Sequence, residues 1–188
     1  MNRNPLIYVI SALVAIIVLL MLFTFQVRQS EVVVVTTFGK PSREITKPGP
    51  YFRLPWGIQM IHRFDQRVQN FEDRLTEGLT KDSYALLTSV YVGWKITDAN
   101  AFFPRFAGSS DPIREAEGVL ERILSHHKMA VVGKHPLGDF VSTADTGNDS
   151  YAMIEKEIFS AVQGEVKSQN YGLEISFLGL KKLQLPES

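Results

Sequence analysis

Residues 82–98 read DSYALLTSVYVGWKITD and hold the clearest strand pattern of the chain. Every second residue from Tyr84 to Ile96 is apolar or a threonine, whereas the intervening positions are mostly small or polar. This period-two alternation predicts a long strand with one face in a core. We expect Trp94 and its neighbours on that face to pack against helix stripes around Leu120 and Ile158.

The segments before this strand also favour β-structure. Residues 30–38, SEVVVVTTF, form a β-branched run that ends at a turn beginning with Gly39. Residues 58–70 predict a second, more polar strand. Between them, residues 48–57 read PGPYFRLPWG, with three prolines and two glycines. Because proline removes a donor and fixes φ, we expect an irregular crossing here rather than a central strand.

The segments after the long strand change to a helical period. Residues 98–106 predict a short helix, and Asp111 followed by proline predicts the start of a longer one. A polar loop over residues 139–148 precedes another helix, which we expect Gly172 to end. A last strand begins at Leu173. Strands followed by helices and a strand indicate an α+β fold, largely antiparallel.

The N-terminus is strongly apolar. Residues 4–27 contain no charged side chain, and the bilayer core requires about 20 such residues in a helix. This run predicts a transmembrane anchor over residues 1–28. A cleavable signal peptide is the main alternative, but its apolar core is shorter and ends in a small-x-small site, which this sequence lacks. A buried helix of a soluble domain is the remaining alternative.

The rest of the chain is long enough for one domain or two small ones. We expect a β-rich subdomain over residues 29–97 and an α/β subdomain over residues 98–188. Arg3 and the α-amino group precede the apolar run, and Arg28 follows it. The positive-inside rule therefore slightly favours a cytoplasmic N-terminus, with the bulk of the chain on the other side of the membrane.

Composition excludes several kinds of site. The chain has no cysteine, which rules out disulfides, thiolate ligands and cysteine nucleophiles. Its 20 basic and 20 acidic residues give no net charge, so nothing indicates a nucleic-acid partner. The four histidines lack the spacing of a metal site; they are His62, His126, His127 and His135. No catalytic, cofactor-binding or metal-binding residue is predicted.

The proline-rich segment is the candidate functional site. Five large apolar side chains surround one arginine, Arg53; they are Tyr51, Phe52, Leu54, Trp56 and Ile58. The first four of these, with Arg53, are the candidate interface residues. One interpretation is a loop tucked under the sheet. The other is a wedge in the membrane interface, since tryptophan and tyrosine favour that layer and the anchor would hold the segment near it.

Several patterns now coincide in chain order. FGK occupies residues 38–40, KPGPYFRLPW residues 47–56, FDQRVQNFE residues 64–72, and QNYGLEISFLGLKKLQLP residues 169–186. Together they resemble the SPFH superfamily of stomatin, prohibitin, flotillin and HflK/HflC, also called the band 7 domain. Within that superfamily they are most similar to the HflC branch of the HflK/HflC group.

The resemblance implies a scaffold rather than an enzyme, with no cofactor. It implies a single-pass protein of the bacterial inner membrane with its soluble domain on the periplasmic side. The implied partners are an HflK-like SPFH subunit, an ATP-dependent AAA-type membrane protease and the lipid bilayer, in a hetero- or homo-oligomer.

Members of this superfamily continue into a long coiled-coil helix, but no heptad run occurs in residues 1–188. Assembly is therefore expected either in a longer form or through the globular domain alone. Two other functions stay open on sequence grounds. One is a stomatin-like organiser of lipids without a protease partner, and the other is a single-pass membrane hydrolase with an unrecognised site.

Overall fold

The computed structural model of this chain describes residues 5–55, 57–140 and 148–184. The chain divides into two compact units, residues 1–66 and residues 67–188. The sequence-derived limits at residues 28 and 97 remain predictions about subdomains. The observed elements are antiparallel strands and helices, which confirms the α+β class.

The chain begins with helix α1, Pro5–Phe23. Its described side chains from Tyr8 to Leu22 are mostly exposed. Within the described residues, no helix meets the combined requirements of length and apolarity for crossing a membrane. The anchor over residues 1–28 stays a prediction. Its C-terminal end differs from the expected helix, because Thr24–Val27 form a strand.

Five strands form the rest of the first unit; they are β1 Thr24–Val27, β2 Glu31–Thr37, β3 Lys40–Ile45, β4 Gly49–Phe52 and β5 Gln59–Asp65. The valine-rich strand β2 lies between β3 and β5, while β1 pairs with β4. All of these pairings are antiparallel. Val32 to Val35 are buried on both faces of the sheet, as expected for a continuous apolar run. The core of this unit also contains Phe25, Val27 and Ile45.

One prediction for this region is wrong in part and another is wrong. Part of the expected irregular crossing forms β4, because a strand in a two-stranded sheet has a free edge that tolerates Pro50. The single strand predicted over residues 58–70 is two strands, β5 and β6 (Gln69–Glu72), and the boundary between the two units falls after Gln66. Strand propensity alone does not show that the partner strand changes.

The second unit is built on β8, Ala85–Ile96, which is the strand predicted from the alternating pattern. Strands β6 and β7 (Thr76–Leu79) follow each other along one edge of β8, and β9 (Leu173–Gln184) pairs along the other edge. Four side chains of the predicted apolar face are fully buried, which confirms that assignment; they are Leu86, Val90, Val92 and Trp94. Tyr84, in contrast, is exposed.

Four helices complete the described part of this unit; they are α2 Ala99–Phe106, α3 Pro112–Val132, α4 Leu137–Phe140 and α5 Asn148–Ser168. The predicted caps are confirmed, since Asp98 accepts from Ala101 N and Asp111 from Arg114 N. Helix α3 packs on α5, and α5 packs on β9. The loop expected over residues 139–148 falls mostly outside the described residues, except that α4 extends to Phe140.

Gly172 has a different role from the expected one. Helix α5 ends at Ser168, and Asn170 already has a positive φ of 50°. Gly172, with φ of 73°, lies so close to the backbone of Asp98 that an added Cβ would be 2.2 Å from its carbonyl oxygen. The glycine is therefore required by the crossing of two backbone segments rather than by the helix end.

Candidate functional site

The predicted interface segment begins directly beside the end of α1. Strand β1 continues from that helix and pairs with β4, so that Thr24 lies opposite Phe52. One residue further, Arg53 N donates a hydrogen bond of 2.8 Å to Phe23 O. The antiparallel pairing therefore fixes residues 49–53 against the C-terminal end of the apolar helix.

Tyr51 is separated from the other members of the predicted site. Its ring lies 6.0 Å from that of Phe25, and it packs on the core of the first unit. Its hydroxyl donates to Lys47 O at 3.0 Å. Because neighbouring side chains on a strand point to opposite faces, Tyr51 faces inward while Phe52 faces outward.

Phe52 and Leu54 are the exposed apolar members of the segment. Their side chains are 69% and 46% accessible to solvent. Trp56 lies outside the described residues, so its place relative to them is not assigned. The structure therefore brings Phe52, Arg53 and Leu54 together at the end of α1 and assigns Tyr51 to the core.

Sequence reasoning missed further exposed apolar residues of the first unit. Phe38, at the β2–β3 turn, is 78% exposed, and its N–H donates to Ile58 O at 3.0 Å. Met60 is also exposed, and so is Ile58, which the sequence had already placed in the apolar cluster around Arg53. Phe38 has a positive φ of 49°, which is uncommon for a residue with a side chain. The sequence signal for this exposure was the position of an aromatic residue directly before Gly39 in a predicted turn, where side chains face solvent.

The second unit contains a buried charge pair that the sequence did not reveal. The side chains of Lys128 and Asp73 are both fully inaccessible to solvent, and Lys128 Nζ donates to Asp73 Oδ2. Lys128 Nζ also donates to Thr88 O at 3.2 Å, and Asp73 Oδ1 accepts from Val90 N at 2.6 Å. This network ties α3 to the segment after β6 and to β8.

The histidines take part in local pairs with carboxylates. His127 bonds Glu165 through Nε2. His135 Nδ1 lies 3.1 Å from Asp139 Oδ2, and its Nε2 lies 3.1 Å from Glu157 Oε2. Among the described residues, no group of three or more candidate ligands is arranged to hold a metal ion.

The pKa of Glu157 is lowered chiefly by its hydrogen bond from Lys134 Nζ, which is 2.9 Å long, and then by the bond to His135. In the first unit, partial burial lowers the pKa of His62. Its Nε2 lies 3.4 Å from Thr36 Oγ1. These contacts stabilise the fold and bring no nucleophile together with a base.

The amino-acid sequence matches a known protein family along most of its length. The sequence model described as "SPFH domain / Band 7 family" matches residues 25–188. That range runs from Phe25 in β1 through β9, so it covers part of the first unit and all of the second. It leaves out all of α1.

Three curated relatives have similar sequences at modest identity. "Modulator of FtsH protease HflC" from Escherichia coli strain K12 is 26% identical over 140 residues, which are 71% of this chain and 41% of that protein. "Protein HflC" from Haemophilus influenzae is 25% identical over 197 residues, 97% of this chain and 59% of the relative. "Protein HflC" from Buchnera aphidicola subsp. Baizongia pistaciae is 27% identical over 170 residues, 82% and 51% respectively. The chain thus spans about half the length of these relatives.

Proposed function

This chain belongs to the SPFH domain / Band 7 family, and we propose on that basis that it is a membrane-anchored scaffold that modulates a membrane protease. The observation that carries the proposal is the match over residues 25–188 together with relatives named HflC. The name of the E. coli relative describes that protein as a modulator of the FtsH protease. By analogy, the partner of this chain is an ATP-dependent AAA-type membrane protease, and it assembles with an HflK-like SPFH subunit.

The proposed role is not enzymatic. A scaffold acts by binding and positioning a protease or restricting its access to substrates, so it requires no nucleophile, cofactor or metal of its own. The name of the E. coli relative, a modulator, supports this distinction. The hydrogen-bonded carboxylates and histidines of the second unit connect α3 and the turn after it to α4 and α5, which accounts for them as packing contacts.

The proposed location is the bacterial inner membrane, with α1 as a single-pass anchor and the remaining chain on the periplasmic side. An uncharged run over residues 4–27 supports the anchor, as do the exposed apolar side chains of α1. At about 1.5 Å per residue, the 19 residues of the helix extend across most of a bilayer core of about 30 Å.

The interface role is proposed for the proline-rich segment beside α1. Phe52 and Leu54 would enter the headgroup layer, where exposed apolar rings are stabilised, and Arg53 would reach phosphate groups while its stem stays apolar. Trp56 belongs to the same proposal by its place in the sequence. Tyr51 contributes from the core side by fixing β4 against Phe25.

The test is purification of the tagged full chain from native membranes in mild detergent, followed by quantitative mass spectrometry. We expect co-purification of an AAA-type membrane protease and an HflK-like subunit, both enriched over an unrelated single-pass protein carrying the same tag. Enrichment of lipids without either protein would favour a stomatin-like lipid organiser. Hydrolysis of an unfolded substrate by the purified chain alone, free of other proteases, would favour the hydrolase alternative.

A further inference from the structure

A pocket opens in the first unit beside the C-terminal end of α1. Its volume is about 470 Å³. The lining comes from the end of the helix, from β2 and β3, and from the segment around Phe52; the residues are Phe23, Thr37, Ser42, Arg43, Phe52, Arg53, Leu54 and Gln59. Two guanidinium groups therefore border one pocket although ten positions separate them in the chain.

The two arginines keep donors free for a ligand. Arg43 Nη2 donates to Phe52 O, which uses one of its five N–H groups. Arg53 Nε is buried and has no hydrogen-bond partner among the described residues. No carboxylate within the described part of the chain forms an ion pair with Arg43 or Arg53. A buried, unpartnered N–H on a cation is costly, and an anion in the pocket would relieve that cost.

The other polar side chains of the pocket already form hydrogen bonds within the protein. Gln59 Nε2 donates to Thr37 Oγ1 at 3.3 Å, and Thr37 Oγ1 donates to Ser42 Oγ at 3.1 Å. Ser42 Oγ in turn donates to Val35 O at 2.9 Å. This chain of bonds makes a fixed wall, so the arginines supply the main donors toward a ligand. Paired guanidinium donors match the oxygens of a phosphate group.

Two features indicate a lipid as the source of that phosphate. Phe23, Phe52 and Leu54 give the pocket an apolar side next to the cations, which suits a molecule with a charged head and an acyl chain. The chain has no net charge, but the first unit holds seven basic and three acidic residues, so the second unit is correspondingly acidic. A basic unit attached to the apolar helix is attracted to an anionic membrane surface.

We propose that this pocket binds the phosphate group of an anionic phospholipid through Arg43 and Arg53, with Phe52 and Leu54 against the upper acyl chain. The inference rests on the proposed membrane location, and it adds a specific ligand site to it. Binding there would select anionic over zwitterionic lipids around the scaffold, and would stiffen the junction between α1 and the first unit.

The test uses the full chain in detergent and a short-chain phosphatidylglycerol kept below its critical micelle concentration, with binding measured by titration calorimetry. We expect saturable binding of one lipid per chain, weakened by about tenfold or more in Arg43→Gln/Arg53→Gln, because both charge-assisted contacts are lost. The control Lys40→Gln/Lys47→Gln removes the same charge from the same unit outside the pocket, and should bind within about twofold of the parent.

Further arms separate the possible ligands. Short-chain phosphatidylcholine should bind more weakly than phosphatidylglycerol, and inorganic phosphate should bind far more weakly than either. Equal affinity for inorganic phosphate and lipid would overturn the lipid assignment. Equal losses in the arginine and lysine variants would show a diffuse charge effect and overturn the pocket.

An NMR measurement on one arginine side chain distinguishes a lost ligand contact from a misfolded variant. In the singly substituted Arg43→Gln chain, the ¹⁵Nε resonance of Arg53 should still shift when phosphatidylglycerol is added. A resonance that does not shift would contradict the proposal. Because the soluble lipid needs neither a bilayer nor a protease, these results do not depend on whether the chain is anchored or modulates a protease.

Discussion

At the scale of single residues, the most consequential feature is the charge pair of Lys128 and Asp73. Both side chains are fully buried, and their remaining donors and acceptors bond the backbone of β8. Burying two charges is costly, so such a pair contributes little net stability over an apolar replacement. Removing one partner is different, because the other charge is left without compensation.

We predict that Lys128→Met lowers the free energy of unfolding by about 3–5 kcal/mol, because Asp73 remains as an unpaired buried carboxylate. Adding Asp73→Asn to that variant should restore more than half of the loss, since an amide keeps the bond from Val90 N without the charge. Urea unfolding followed by Trp94 fluorescence in a Trp56→Phe background measures this for the second unit. A free energy of unfolding for Lys128→Met within about 1 kcal/mol of the parent value would contradict the pairing.

At the scale of elements, the turn between α3 and α4 is held to α5 by a small ionic cluster. Lys134 and His135, just after α3, both bond Glu157 on α5, and His135 also bonds Asp139 on α4. Two side chains of the turn thus meet at the Glu157 carboxylate, and His135 connects that carboxylate to Asp139 on α4. The lowered pKa of Glu157 is the electrostatic signature of this arrangement.

The cluster makes stability depend on pH in a definite direction. The pKa of Glu157 in the folded chain lies below its ordinary value of 4.5, so its contribution is complete above that value and is lost as the pH falls through the folded pKa. We predict a smaller loss of stability between about pH 6 and about pH 3.5 in Glu157→Gln than in the parent. The control is Glu77→Gln, an exposed carboxylate on β7, which should keep the parent's dependence. Equal curves for both variants would contradict the prediction.

At the scale of the whole molecule, an apolar helix and a basic first unit precede an acidic second unit. The net charge of each unit affects its attraction to charged surfaces and does not determine the fold. The match to the SPFH domain / Band 7 family begins at Phe25, so all of α1 falls outside the matched part. The membrane assignment therefore depends on α1 and needs its own experiment.

We predict that the chain stays uncleaved in the membrane pellet after carbonate extraction, with its second unit outside the cytoplasm. Since the chain has no cysteine, Ser110→Cys gives one exposed thiol, which an impermeant maleimide should label in intact spheroplasts. Ala116→Cys, at a buried position on α3, should stay unlabelled. A soluble product that starts near residue 27 would mean a signal peptide, and labelling only after lysis would mean the opposite orientation.

Much of the fold could be predicted because its signals are local. The alternating pattern around Trp94 and the caps at Asp98 and Asp111 gave elements that the structure confirms. The family resemblance drawn from motifs in chain order is likewise confirmed by the match over residues 25–188. The break of the strand predicted over residues 58–70 could not be predicted, because strand propensity is the same on both sides of a unit boundary.

The candidate site divides in the same way. The residue order alone shows that Phe52, Arg53 and Leu54 follow an uncharged apolar run. Three other features are visible only in the folded chain: Tyr51 faces the core, Arg43 shares a pocket with Arg53, and Lys128 contacts Asp73. The physical reason is that these contacts depend on strand register and on pairings between distant segments, whereas periodicity, capping and hydropathy act over a few neighbouring residues.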